Sequence, residues 1–268
     1  MLTAAVAGAI THGTRRALAA APPGGAERWT RRNHRGQAVT LLAGPALATG
    51  IAAGTLLPAG PPARALRKTA ALAVSATAAI GAYDDLRGAT ATKGLRGHLS
   101  ALSRREVTSG AVKAGAIGLT SLVGARGMAP TRGLAANLLD GVLIAGCANL
   151  LNLFDLRPGR ALKVALLAGP AVVLPGGAPL APVLGAALAT LPDDLAERSM
   201  LGDCGANALG AALGCALVLG AGPRARAAAL AGVIGLTLAS ERFSFTAVIE
   251  RSPPFAWLDG LGRRPAVG

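Results

Sequence analysis

Charged residues are scarce in this sequence: they make up 15% of its 268 residues, whereas 52% are hydrophobic. Together with a mean hydropathy of +0.49, this scarcity excludes an ordinary soluble domain of this length. Cysteine is rarer still, and Cys147, Cys204 and Cys215 show neither a disulfide framework nor the spacing of a zinc site. We therefore expect the three cysteines to be small packing residues.

Acidic residues are also few, 13 against 27 Lys and Arg, which leaves a formal net charge of +14. In a soluble protein this excess would suggest binding to nucleic acid. Here the basic residues are spread over the connectors between apolar runs, so we expect no nucleic-acid partner and attribute the charge to membrane topology.

The recurring apolar runs predict an all-α fold, a polytopic transmembrane bundle of about nine helices, because helices satisfy their backbone groups within lipid. We expect a transmembrane domain over residues 1–240 with cytoplasmic catalytic loops, and a cytoplasmic C-terminal tail over residues 241–268. Several runs are shorter than the ~20 residues of a full span. The predicted helical runs are 2–20, 39–57, 69–83, 107–125, 137–154, 161–174, 179–191, 205–221 and 226–240.

The order of apolar and basic residues predicts how the bundle is oriented. Arg15 and Arg16 follow the first apolar stretch, the reverse of a cleaved signal peptide, so we expect a first span that begins outside. The alternation of runs then puts 20 of the 27 basic residues on the inner face, as the positive-inside rule requires. This predicts a multi-pass protein of the cell membrane, with the lipid bilayer as a partner.

Carboxylates collect on the same inner face, where three predicted helices end or begin. Asp84 and Asp85 lie in "GAYDDLRG", Asp155 in "NLLNLFDL" and Asp203 in "RSMLGDCGANALG". Carboxylates at membrane depth are costly unless they pair, bind a cation or line a polar cavity. With a helix N-terminus, Lys and Arg nearby, they suit a diphosphate bridged by Mg²⁺.

Asn149, Asn152 and Asp155 are three residues apart and share one helix face, so they could line a pocket. The alternative is that the two asparagines hydrogen-bond to neighbouring helices and Asp155 caps a loop. The segment by itself leaves both interpretations open. Farther along, "GAALG" (Gly210 to Gly214) predicts a close helix-packing face.

The three acidic motifs, in this order, resemble those of the polyprenyl-phosphate sugar-1-phosphate transferases. That family includes the phospho-MurNAc-pentapeptide translocase and the GlcNAc-1-phosphate transferases. "GAYDDLRG" resembles its first aspartate pair, "NLLNLFDL" its Asn-x-x-Asn-x-x-Asp segment and "MLGDCGANALG" its Met-Gly-Asp-x-Gly-Ser-x-x-Leu-Gly segment. "RRNHRG" is similar to its polar loop before the second helix, and the resemblance covers roughly residues 31–214.

The resemblance implies an activity: transfer of a sugar-1-phosphate from a UDP-sugar to polyprenyl phosphate, with release of UMP and with Mg²⁺ as cofactor. It implies that Asp203 binds Mg²⁺ and that Asp84 or Asp85 positions or deprotonates the lipid phosphate. Lys113 is similar to a lysine that contacts phosphate. The implied nucleotide-sugar contacts are Asn149, Asn152 and Asp155.

The sequence departs from that family directly after Asp155. The family continues with Asp-Gly-x-Asp-Gly, whereas Pro158 here replaces the second acid, and a histidine-rich loop is missing: His12, His34 and His98 are isolated. Arg157 and Arg160 stand in the altered segment, and we count both as candidate substrate contacts. They indicate either a more anionic ligand or a lost activity.

Two other functions remain open from the sequence. One is a catalytically inactive relative that binds polyprenyl phosphate or acts as a partner in the cell envelope; a homodimer is a further option. The other is a small transporter, which the absence of a clear internal repeat disfavours. The tail either lies on the inner membrane surface, with Trp257 as an anchor, or is solvated.

Overall fold

A computed structural model describes residues 2–57, 63–87, 108–172 and 180–264 of the chain. Over these residues the fold is all-α. These residues form eleven α-helices, a short 3₁₀ helix (Ala26–Trp29) and two three-residue strands, β1 (Thr30–Arg32) and β2 (Ala38–Thr40), which pair antiparallel. The helices are α1 (Leu2–Ala20), α2 (Ala43–Leu56), α3 (Arg64–Arg87), α4 (Ser109–Met128), α5 (Leu134–Phe154), α6 (Arg160–Val172), α7 (Ala181–Leu195), α8 (Gly202–Gly220), α9 (Pro223–Ser240), α10 (Phe245–Arg251) and α11 (Pro253–Gly260).

Each of the nine predicted helical runs corresponds to one of the helices α1 to α9, so the prediction of helices is confirmed. The largest difference is at α3, which begins at Arg64 instead of residue 69, because the basic residues before the apolar run are helical too. Most of the predicted inner connector after α3, with Lys93, Arg96, His98, Arg104 and Arg105, lies outside the described residues.

Not every helix is long and apolar enough to cross a membrane. Within the described ranges, α5 and α8 meet that requirement, and α9 with α10 would make a third span if the bent pair is counted as one. Length and composition therefore establish two to three candidate spans and not nine.

Helix α8 lies at the centre of the bundle, and nearly every residue from Gly202 to Val218 is buried. It packs against α2, α3 and α5, because small residues let the backbones approach. A Cβ on Gly210 would lie 2.6 Å from the Cα of Ala148, and one on Gly214 would lie 2.7 Å from the Cα of Ile144. The predicted packing face of "GAALG" is confirmed, and so is the burial of the three unpaired cysteines.

A buried ion cluster ties three helices together at the end of the bundle where α8 finishes. Asp140 of α5 is 2% exposed and lies 2.6 Å from Arg132 Nη1 and 2.8 Å from Arg226 Nε. Arg132 also donates to the carbonyl of Val218 at 3.0 Å. The carboxylate is thus the shared partner of two guanidinium groups.

Replacing Asp140 with Asn should lower the free energy of unfolding in detergent by about 3 kcal/mol, because two partly buried arginines, 28% and 12% exposed, lose their common buried counter-ion. Chemical denaturation followed by helical circular dichroism measures this loss. Glu250→Gln is the matched control: Glu250 lies 3.9 Å from Arg157 with a side chain that is 61% exposed, so its loss should cost less than about 1 kcal/mol. Equal unfolding energies for the two variants would contradict the buried cluster.

Candidate functional site

The opposite end of the bundle holds the predicted catalytic acids, and Asp85 there caps helix α8. Its carboxylate accepts the backbone N–H groups of Asp203 at 3.0 Å and of Cys204 at 2.9 Å. These N–H groups have no partner within α8, and the positive end of the helix dipole favours an anion there. Asp85 therefore joins the last turn of α3 to the first turn of α8.

Two glycines make this contact possible. A Cβ on Gly81 would lie 2.7 Å from the amide nitrogen of Cys204, closer than real Cβ atoms come to backbone. Gly202 has φ of +61° and faces the Asp85 carboxylate, 2.9 Å from where its own Cβ would stand. Both positions require the absence of a side chain, so the sequence of α3 and α8 is fitted to this close approach.

Asp84, Lys113 and Asp203 come together beside that cap, although they belong to three different helices. Lys113 Nζ lies 3.0 Å from Asp84 Oδ2 and also pairs with Asp203 Oδ2. The three side chains keep 17%, 27% and 25% of their surface exposed for Lys113, Asp84 and Asp203 respectively. The predicted residues are thus assembled into one charged cluster that a ligand can reach.

The same end of the bundle has a cavity of about 170 Å³, and its lining includes none of Asp84, Lys113 and Asp203. Its lining comes from the β1–β2 hairpin, the connector between α5 and α6, and the connector between α7 and α8, and includes His34, Asp155, Arg157, Pro158, Asp194 and Ser199. Ser199 is 4% exposed, and its hydroxyl has no hydrogen-bond partner among the described residues. The cavity therefore offers a polar atom that a bound molecule could satisfy.

Asp155 connects the cavity with the charged cluster. Burial raises the pKa of its carboxyl well above the usual value, and the nearby carboxylates of Asp194, Asp203 and Asp85 raise it further. A hydrogen bond with the Gly202 backbone opposes this shift. Since charges interact in this way only at short range, Asp155 shares the electrostatic field of the acidic cluster.

The structure separates the other two members of the predicted polar stripe. Asn149 is exposed on α5, whereas Asn152 is half-buried one turn later. Neither side chain lines the cavity. The predicted substrate contacts of Asn149 and Asn152 stay predictions, whereas Asp155 at the end of the same helix lines the cavity.

Arg160 has a different role from the predicted substrate contact. It is 3% exposed and donates from Nε and Nη2 to the two carboxylate oxygens of Asp259, each at 2.9 Å. Burial opposes ionisation of Asp259, but hydrogen bonds and charges from Arg160 and Arg263 bring the pKa of the carboxyl below its usual value. Arg160 thus binds the C-terminal tail, whereas Arg157 lines the cavity.

Two acids of the α7–α8 region were not among the predicted site residues. Asp194 lines the cavity and accepts the backbone N–H of Gly159, and Glu197 lines it from the other side. Glu197 has φ of +54°, a strained value for a residue with a side chain, and is held by Asn33 at 2.6 Å and Arg35 at 3.2 Å. The sequence signal that could have pointed to these two acids is the acid-rich stretch "PDDLAE", which comes directly before the Asp203 motif.

The Asp84 and Asp203 carboxylates could hold a Mg²⁺ ion. Hard carboxylate oxygens suit this ion, which takes one or two carboxylates and completes its coordination with water and phosphate oxygens. The Lys113 ammonium already stands between the two as a cation. In the part of the chain that the structure describes, no group of three or more His, Cys, Asp or Glu side chains could hold a metal. Two carboxylates would leave most of the Mg²⁺ coordination positions to water and phosphate oxygens.

No protein-family model matches the chain, and no curated protein matches it in sequence.

Proposed function

We propose that this chain is a Mg²⁺-dependent phosphoglycosyl transferase that moves a sugar-1-phosphate from a UDP-sugar to polyprenyl phosphate and releases UMP. The observation that carries the proposal is the meeting of Asp84, Lys113 and Asp203 beside the Asp85 cap. Asp84 and Asp203 come from motifs that resemble those of the sugar-1-phosphate transferases, and Asp155, which lines the cavity, is close enough to Asp203 for the two charges to interact.

The proposal includes a location: α1 to α9 cross the cell membrane, and the charged cluster faces the cytoplasm. Large apolar side chains on the outside of the bundle support contact with lipid, among them Leu72 (70% exposed), Leu119 (65%) and Leu188 (58%). The excess of basic residues at the cluster's end supports the orientation. Helices such as α2, with 14 residues, would then cross as short spans packed within the bundle.

In the proposed reaction, an oxygen of polyprenyl phosphate attacks the sugar-linked phosphorus, and the bond from that phosphorus to the bridging oxygen of UMP breaks. Bound Mg²⁺ would neutralise charge on the diphosphate. Lys113 would contribute a second positive charge, as phosphoryl transfer requires. Because Asp85 is engaged with the α8 backbone, Asp84 is the member of the pair that would position the lipid phosphate, through its contact with Lys113 and with bound Mg²⁺.

The cavity beside Asp155 would take the nucleotide end of the donor. The acid that the family motif has at the position of Pro158 is absent, but Asp194 brings a carboxylate to the same cavity from α7. Arg157 lines the cavity as well. Its guanidinium group would contact the diphosphate of a donor that extends from the charged cluster into the cavity. Asp194 and Arg157 together support an active enzyme with an altered donor pocket.

The activity can be tested with purified protein, polyprenyl phosphate, Mg²⁺ and a panel of UDP-sugars, with UMP release as the readout. We expect release with at least one donor and none without the lipid. Lipid binding without turnover on any donor would contradict the proposal and would favour the inactive relative.

Asp155→Asn should raise the KM for the donor about tenfold or more, because a residue at the nucleotide end contributes a hydrogen bond of order 1.5 kcal/mol or more. Asn149→Ala is the matched control from the same motif, and its KM should stay within about twofold of the wild type because its side chain is exposed. Initial rates at varied donor concentration separate the two. A larger effect from Asn149 than from Asp155 would contradict the assignment of the cavity.

A further inference from the structure

The C-terminal hairpin, residues 241–264 with α10 and α11, carries most of the chain's few aromatic residues. The whole sequence has four Phe, two Trp and one Tyr, and the hairpin holds Phe243, Phe245, Phe255 and Trp257. Phe243 is 61% exposed, Phe255 58% and Trp257 68%. Three large aromatic side chains thus face outward on one short segment.

The opposite side of the hairpin is fixed to the bundle. Asp259 is bound by Arg160, and Arg263 donates to the carbonyl of Pro158 at 2.8 Å. Lys163 donates to the carbonyls of Leu258 at 3.1 Å and Asp259 at 2.6 Å. The exposed aromatic side therefore has a defined direction, because the hairpin cannot turn without breaking buried ion pairs.

The direction of α10 follows from a sharp bend, since α9 and α10 meet at 94°. Helix α9 packs on α5, a helix that is long and apolar enough to span a membrane. If α9 runs across the bilayer, α10 runs along its surface. An element that lies in the interface plane is expected to have aromatic and aliphatic side chains on one side and basic residues beside them.

Basic side chains accompany the exposed aromatic residues. Arg242, Arg251 and Arg264 are all exposed. Among the acids of the hairpin, Asp259 is buried and Glu241 is half-buried, whereas Glu250 is exposed and lies 3.9 Å from Arg157. The outward side therefore combines apolar rings with positive charge. This combination fits the headgroup layer of a bilayer that contains anionic lipids.

We propose that the C-terminal hairpin binds the cytoplasmic surface of an anionic bilayer through Phe243, Phe255 and Trp257. The inference rests on the proposed membrane location and orientation and is independent of the proposed reaction. The hairpin then anchors the protein to the membrane surface, and its opposite side holds the connector between α5 and α6, which lines the cavity.

Fluorescence of Trp257 tests the proposal in the full chain. The sequence has only one other tryptophan, so a Trp29→Phe variant leaves Trp257 as the single reporter. The variant is placed in nanodiscs of phosphatidylcholine and phosphatidylglycerol, with lipids brominated at a shallow or a deep acyl position. We expect loss of most of the Trp257 emission with shallow bromines and a smaller loss with deep ones, because interfacial residues sit near the headgroups.

The control is Trp257→Phe, which leaves Trp29. That ring is 6% exposed, packs with Leu41 and Leu42, and donates from Nε1 to the carbonyl of Pro23 at 2.8 Å. Its emission should be far less sensitive to bromine. Because no substrate is present, inactivity of the enzyme does not affect the result.

Three outcomes would overturn the proposal. Trp257 emission that resists bromine and is quenched by aqueous acrylamide would show a solvated tail. Emission protected from both quenchers, with cross-links between chains at the hairpin, would show a second copy of this chain on the surface. Equal bromine quenching in nanodiscs of phosphatidylcholine alone, unaffected by Arg242→Gln with Arg251→Gln, would rule out the anionic headgroups.

Discussion

Asp203→Asn should reduce UMP release by about 1,000-fold, the largest effect expected from any single change in this chain. The substitution keeps the shape of the side chain but removes the charge that pairs with Lys113 and that would hold Mg²⁺. Helix α8 should still begin correctly, since its first turn is capped through the backbone N–H of Asp203 and not through its side chain. Single-turnover release of UMP at saturating donor measures the loss.

Glu27→Gln is the control for that variant, because Glu27 is an exposed acid on the connector after α1. It should leave the rate unchanged, and both variants should unfold at the wild-type temperature. An Asp203→Asn enzyme within tenfold of the wild-type rate would remove Asp203 from the site.

Gly81→Ala should impair both folding stability and turnover. The new methyl group would stand 2.7 Å from the amide nitrogen of Cys204, so α3 has to move away from α8. Overpacking of this kind costs about 1–3 kcal/mol. Movement of α3 also separates Asp84 and Asp85 from Asp203, so the rate should fall by more than the loss of folded protein explains.

Gly118→Ala provides the comparison for this variant. Gly118 lies on α4, and no atom outside its own helix lies within 4 Å of where its Cβ would be. Alanine favours helix by up to about 1 kcal/mol over glycine, so this variant should be as stable as the wild type or more so. A Gly81→Ala protein that matches Gly118→Ala in melting temperature and rate would contradict the close contact of α3 with α8.

The helices could be predicted from the sequence because apolar runs are local patterns. The start of α3 could not, since Arg64, Arg67 and Lys68 interrupt the apolar pattern and become helical through continuation of the backbone hydrogen bonds. The tail was predicted as a region of its own, but its two short helices were not. Their position depends on ion pairs with residues about a hundred positions earlier.

The candidate site was predictable where a motif carried it and unpredictable where distant segments met. Asp84 and Asp203 were named from their motifs and Lys113 from its similarity to a family lysine, and the structure brings the three together. Arg160 was assigned to a ligand, yet its partner Asp259 is 99 residues away and no local pattern links the two. Asp194 was missed for the same reason, because the cavity that it lines is formed by three segments that are distant in sequence.

The central place of α8 has a consequence for how the protein is made. The helices that surround it, α2, α3 and α5, all precede it in the chain. They are therefore synthesised before the helix that fills the space between them. Until α8 has been made, the Asp84 and Asp85 carboxylates lack their contacts with Asp203. A nascent chain that has not yet produced residues 202–220 cannot have its native packing, so the newly made protein depends on late insertion of a nearly fully enclosed helix.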